Sequence, residues 1–298
     1  MNLLIGNEIA EEFYDLNSRL RLSTRQVAAD ISPEVPDFYN AWTCSFPLYG
    51  NILDPELLRA PTCSRGGLVT DPGYLAAASK FAEHEIKLIK SNSKDGLQDS
   101  INGPIETWLP LTEVSEHIQN IFTQGRRHVL ESGLSICRRY GELIEFVLPI
   151  NTPADGNRGF SSHGSRGVVY RGFPPWATEW DVAIDLVHEL GHQSLFVWQS
   201  VDDLLTTDPS APVYSLIRKG YRPAQQTYHG AVALAFMLNF VRAYPDVPGC
   251  QEVAAIRGSW YRDSLNASLG MALESLRREC QFTDIGKAMF DEMDALVL

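Results

Sequence analysis

The residues best placed to do chemistry are His188-Glu189-Leu190-Gly191-His192, within the stretch DLVHELGHQS. On a helix, side chains four apart point the same way. His188 and His192 therefore offer two imidazoles from one face, spaced to bind one metal ion, with Glu189 beside the first and able to act on water at that metal. The structural alternative is a pair of histidines packed among apolar neighbours. A two-histidine site needs a further ligand. The extended HExxHxxGxxH pattern of metzincin-type proteases is excluded, because Leu195 and Trp198 stand at its later positions. Gluzincin-type proteases take a glutamate from a downstream helix, yet between His192 and His229 the only acids are Asp202, Asp203 and Asp208, in what reads as a loop. His229, at a polar-to-apolar junction, is the leading candidate for third ligand, with a partly buried histidine near a helix start as its alternative role. Asp203 is second, since two histidines and a carboxylate form a standard iron arrangement.

Seven residues before His229 stands Arg222, in KGYRPAQQTYHG. A guanidinium near a metal can grip a carboxylate with two hydrogen bonds. That carboxylate could be the distal acid of 2-oxoglutarate or the C-terminus of a peptide. An ordinary surface arginine is the alternative. Tyr228 could hydrogen-bond an oxygen at the metal, and Arg166 and Arg171 are possible substitutes for Arg222.

These residues need elements to position them. Apolar periodicity of threes and fours predicts helices over 7–20, roughly 72–91 and roughly 112–140. Residues 31–66, 91–104 and 151–167 are rich in Gly, Pro, Ser, Asn and Asp and read as loops, the last as a flexible one. Two short apolar runs, 143–150 and 167–172, read as strands. Thr178 with Asp181 three residues on resembles a capping box, which opens a helix running to about Trp198 with the HELGH stretch at its middle. A loop from Val201 and a polar connector, VYSLIRKGYRPAQQ, lead to the apolar helix TYHGAVALAFMLNFVRAY. From about Gln251 two amphipathic helices complete the chain. The expected fold is α+β and predominantly helical. It has a zincin-like active-site helix following a small β-sheet, an N-terminal helical layer over 1–140 of unassigned function, and a metal-binding region over 141–298.

With 298 residues the chain can bury a substantial core. Its net charge of −12 argues against a nucleic-acid surface, which requires a basic footprint. The N-terminal stretch, interrupted by Glu8, Glu11 and Glu12, lacks the form of a secretory signal. The run 230–241 contains Asn239 and is too short to span a bilayer, so no membrane partner is expected. Five scattered cysteines without a CxxC pair suggest reduced thiols and a cytoplasmic location.

Three segments in order, FSSHGSRGVVYRG, DLVHELGHQ and YSLIRKGYRPAQQTYHGAVALAF, resemble the HExxH-motif proteins that modify ribosomally made precursor peptides. The resemblance spans roughly residues 159–243. It implies an iron(II)- and 2-oxoglutarate-dependent peptide β-hydroxylase that uses O2. His188 and His192 would then be iron ligands, His229 the third, and Arg222 the holder of the co-substrate carboxylate. In that chemistry the protein positions its partners and excludes water, and Glu189 orients a ligand or water. The competing reading is a zinc metallopeptidase in which Glu189 is the general base that deprotonates water. Either chemistry could take a peptide along GVVYRG by strand addition. Imidazole suits iron and zinc alike. A peptide-binding module without turnover is the third possibility.

Overall fold

A computed structural model of the chain describes Leu3 and residues 11–31, 63–91, 108–151, 159–215, 220–243 and 260–297. The fold is α+β and mostly helical. Contacts divide it into two compact units that alternate along the sequence. One comprises Met1–Phe13, Gln124–Tyr140 and Thr178–Leu298; the other comprises Tyr14–Thr123 and Gly141–Ala177.

The second unit holds a four-stranded sheet in the order β1 (Gly67–Leu68), β2 (Phe146–Ile150), β4 (Val168–Gly172), β3 (Gly159–Phe160). The first three strands are parallel and β3 is antiparallel to β4. All five positions of β2 and of β4 are buried. Strands covered on both faces read as continuous apolar runs, and both were legible in the sequence for that reason. Pro149 interrupts nothing. It lies beyond the short β1, where its carbonyl accepts from the Leu111 amide and no ladder donor is required of it. Strand β3 falls within the segment read as a loop. It forms because Gly159 can approach the Tyr170 carbonyl, which a Cβ would meet at 2.4 Å, and because Phe160 stacks on Tyr170 at 4.2 Å. In the same unit the helix Pro72–Ser91 opens with proline in its first turn, where a missing N–H costs nothing. Asp71 accepts there from the Tyr74 amide. Arg21, on the helix Glu11–Ile31, forms a largely buried ion pair with Glu145 at 3.2 Å.

The first unit is built on helices. The helix expected over 112–140 is Glu116–Glu131, of which Gln124–Glu131 belong to this unit; it ends at Glu131 because Gly133 takes a left-handed φ of 78°. Two four-residue turns, Ser135–Arg138 and Tyr140–Leu143, follow. Counting the helices above as α1 (Glu11–Ile31), α2 (Pro72–Ser91) and α3 (Glu116–Glu131), the next is α4 (Glu179–Trp198), which starts at the full capping box of Thr178 and Asp181. The connector after it contains β5 (Pro212–Ser215) and β6 (Gly220–Pro223), an antiparallel pair, where no strands were expected. Helices α5 (Ala224–Ala243), α6 (Trp260–Glu279) and α7 (Asp284–Asp294) complete the unit, with α5 packed against both α4 and α6.

None of the helices among the described residues is long and apolar enough to cross a membrane. Among those residues Cys63, Cys137 and Cys280 form no disulfide, and burial pushes the thiols of Cys137 and Cys280 up to about 11. The expected loops over 32–62 and 92–104, residues 152–158 of the third loop, and Cys44 and Cys250 lie outside the described residues.

Candidate metal-binding site

Helix α4 is almost entirely interior. From Trp180 to Trp198 every position is buried except Asp185, His188 and His192. These three fall at helical spacings of three and four and so share one stripe. The apolar helix therefore opens, from Trp180 onward, only along a line of two imidazoles and a carboxylate. The apolar remainder, with Val182, Leu186, Leu190 and Leu195 fully buried, holds that stripe rigidly.

Helix α5 runs antiparallel to α4. Met237 meets His188, Ala233 and Phe236 meet Gly191, and His229 meets His192. The glycine inside the motif sets this approach: a Cβ at Gly191 would lie 3.3 Å from the Ala233 Cα and from the Phe236 ring. Small residues at a helix crossing let two backbones approach and bring polar side chains on both into contact.

Four nitrogen-centred contacts define the cluster. His188 Nε2 and His192 Nε2 are 3.1 Å apart, and the two rings stand edge to face at 4.8 Å between centroids. His192 Nδ1 lies 3.3 Å from His229 Nδ1. His229 Nε2 lies 3.1 Å from Gln199 Oε1, and His188 Nδ1 lies 3.2 Å from the Met237 sulfur. Two nitrogens bound to one metal at about 2.0–2.1 Å sit roughly 3.0–3.4 Å from each other, so the Nε2 pair has the spacing of two ligands of a single ion. Burial, followed by the proximity of His188 and His229, holds His192 well below the ordinary imidazole range, which keeps it in the neutral form that ligates.

The other expected site residues are distributed differently. His229 meets His192 at its Nδ1 edge, not at the edge that carries the Nε2 pair. No group of three His, Cys, Asp or Glu residues able to hold a metal comes together among the described residues. Asp203 is exposed, in the turn after α4. Its neighbour Asp202 accepts from the Leu204 amide and the Thr283 hydroxyl. Glu189 is buried, on the helix position next to His188. Tyr228 is buried and its hydroxyl donates to the Gly286 carbonyl at 2.9 Å, so the contact the structure gives it is with α7, not with the histidines; burial raises its pKa. Arg222 is half-buried on β6, opposite Val213 and two residues before α5 begins. Arg171 is fully buried on β4 of the sheet unit, its guanidinium 5.0 Å from the centre of the Phe173 ring. Arg166 is half-buried in that same unit, where burial and its charge lower His163.

Sequence reasoning missed Asp185, Gln199, Gln226 and Met237. Spacing could have found Asp185, three residues before His188. Gln226 lies on α5 one turn before His229, with both carboxamide atoms buried and without a hydrogen-bond partner among the described residues. Gln199 and Met237 carry no sequence signal, because only the pairing of α4 with α5 brings them to the rings. The chain matches no protein-family model and no curated protein.

Proposed function

We infer that this protein is an iron(II)- and 2-oxoglutarate-dependent oxygenase that hydroxylates a side-chain β-carbon of a ribosomally made precursor peptide. The observation that carries a metal-dependent reading is the pair of Nε2 atoms 3.1 Å apart on the half-open stripe of an otherwise buried helix. The reaction converts peptide C–H, O2 and 2-oxoglutarate into peptide C–OH, succinate and CO2, and the metal and co-substrate supply the oxidising chemistry. In this reading His188 and His192 hold the iron on a zincin-like helix. Glu189, buried beside them, orients what binds there. Arg222 grips the distal carboxylate of 2-oxoglutarate by charge-assisted hydrogen bonds. Tyr228, through its bond to Gly286, positions the start of α5. A cytoplasmic location belongs to the same reading.

Zinc-dependent peptide cleavage is the second reading, and the placement of Glu189 next to the histidine pair favours it. Against it stands the lack of a downstream glutamate between His192 and His229, together with the use of Asp202 in capping Leu204 and Thr283.

Anaerobic reconstitution with Fe(II), followed by 2-oxoglutarate, tests the proposal. A weak visible charge-transfer band should appear, bleach on exposure to O2, and weaken in Arg222→Ala. Absence of the band, with tight Zn(II) binding and peptide cleavage lost in Glu189→Gln, would establish the peptidase instead.

A further inference from the structure

We propose that Gln226 binds the main chain of an extended peptide, pairing with the N–H and C=O of one peptide residue in the room beside Gly230. Two observations on α5 carry this, and packing explains neither. Both polar atoms of the Gln226 carboxamide are buried and have no hydrogen-bond partner among the described residues. The usual structural task of a glutamine at this place is closed to it. Gln226 is the third residue of α5, from which a glutamine side chain can reach back to the amide of the residue preceding the helix. That residue is Pro223, which has no amide hydrogen. A donor and an acceptor shut away from water are each costly, so both ends of the carboxamide await a partner.

The second observation is Gly230, one turn further on. A glycine inside a helix weakens it relative to alanine, and suits places where something must approach the backbone closely. At Gly191 the neighbouring helix supplies that reason, but a Cβ at Gly230 would meet nothing within 4 Å among the described residues. Gly230 is itself only part-buried. Gln226, Gly230, Ala233 and Met237 recur at spacings of four, three and four, which puts them on one line of α5. Ala233 meets Gly191 and Met237 meets His188, so the line that begins at Gln226 leads to the histidine pair of α4.

The carboxamide selects the chemistry of its ligand. A carboxylate could accept from Nε2 but would set its negative charge against Oε1. A residue in the extended conformation offers what both ends need, because its N–H and C=O point to the same side, as they do toward a neighbouring strand. Gln226 as a whole is part-buried although its head is turned inward. Rotation between staggered side-chain positions brings that head out to the bound peptide. That this peptide is the substrate rests on the function proposed above; the contact itself does not.

The probe is N-acetylalanine N′-methylamide, which carries the N–H and C=O of one residue and no charge. It is titrated into the full, metal-free chain labelled with 15N in glutamine and glycine. The Gln226 side-chain signals and the Gly230 amide are assigned by their loss in Gln226→Leu and Gly230→Ala. Both should shift saturably. The analogue methylated on the alanine nitrogen lacks the N–H and should bind about tenfold more weakly, the worth of one hydrogen bond. Acetate should move neither signal. Gln226→Leu should weaken binding, read at Gly230, by about tenfold or more. Gly230→Leu fills the room and should abolish the shift at Gln226 while the side-chain signals persist.

Gln226 signals unmoved by the probe, or an N-methyl analogue of equal affinity, would overturn the proposal, and neither result needs a variant to fold. Equal shifts with acetate would overturn it as well. If the probe binds at Gln226 but the protein gives no charge-transfer band with Fe(II) and 2-oxoglutarate, the peptide contact stands and the hydroxylase falls. A band with Gln226 silent to the probe does the reverse.

Discussion

Strands β2 and β4 and helix α4 are all deeply buried elements of their respective units, yet they are buried differently. Along both strands every position is interior, and the side chains that fill them are chiefly branched or aromatic. Along α4 from Trp180 onward the burial is interrupted three times, always on the same stripe, and always at a polar residue. Uniform burial is what stability alone requires. An interruption confined to one line of a helix leaves Asp185, His188 and His192 only part-buried, at a loss of apolar contact. The buried Arg171 of β4 and the ion pair of Arg21 with Glu145 show that polar groups enter the sheet unit too, but held by aromatic stacking and charge, not lined up on an open stripe.

This contrast yields ordered consequences. The largest effect should come from the stripe. His192→Ala should abolish Zn(II) and Fe(II) binding in calorimetric titration, with a smaller fall in the urea midpoint than truncation of a fully buried leucine brings, because the ring is only part-buried. Leu148→Ala, in β2, should do the converse. Truncating a fully buried leucine costs about 2–5 kcal/mol through lost transfer energy and the cavity left behind, and equilibrium unfolding should show it with metal affinity intact. A Leu148→Ala protein of unchanged stability would remove the distinction drawn between the two elements.

Gly191→Ala tests how the stripe is held. Alanine gains up to about 1 kcal/mol in helix propensity, but its methyl meets the α5 backbone at Ala233, and overpacking costs about 1–3 kcal/mol. The midpoint should fall, and metal affinity with it, because His192 is the next residue on the helix. Thr178→Ala removes the side chain that accepts from the Asp181 amide, and should cost about 0.5–2 kcal/mol without altering metal affinity.

The smallest effect concerns pH. His192 and His128 are lowered from the ordinary imidazole value, in each case chiefly by burial. A histidine lowered by folding is protonated more readily in the unfolded chain. Its stabilising contribution is complete above the unfolded value of about 6.5 and declines as the pH falls below it. Thermal midpoints measured from neutral pH downwards should therefore decrease on approaching about pH 5.5, and less so in His192→Ala. A midpoint that rises over this interval would contradict the assigned direction.

Local pattern carried a good deal of this molecule into its sequence. The capping box at Thr178 and Asp181, the apolar face behind it and the four-residue spacing of His188 and His192 depend only on helix geometry, so α4 and the relation of its two imidazoles were legible before any tertiary contact was known. The same holds for β2 and β4, whose apolar runs reflect burial on both faces, and for α2, introduced by Asp71 and Pro72. Legibility failed where a partner element decides the outcome. Strand β3 exists because Tyr170 offers it an edge, and β5 and β6 exist because they pair with each other, not because either has a strong strand pattern.

The sequence by itself determined that two imidazoles share one face of a helix beside a glutamate, because the rise and turn of an α-helix allow no other arrangement at that spacing. Tertiary structure alone decided what each ring meets: Met237 at His188, His229 at His192 and Gln199 behind His229, over separations of 49, 37 and 30 residues. It also committed Tyr228 to Gly286, 58 residues away. The physical reason is that a nitrogen's role depends on which donor or acceptor faces it, and that is fixed by the close antiparallel packing of α4 on α5 at Gly191, not by any local period of the chain.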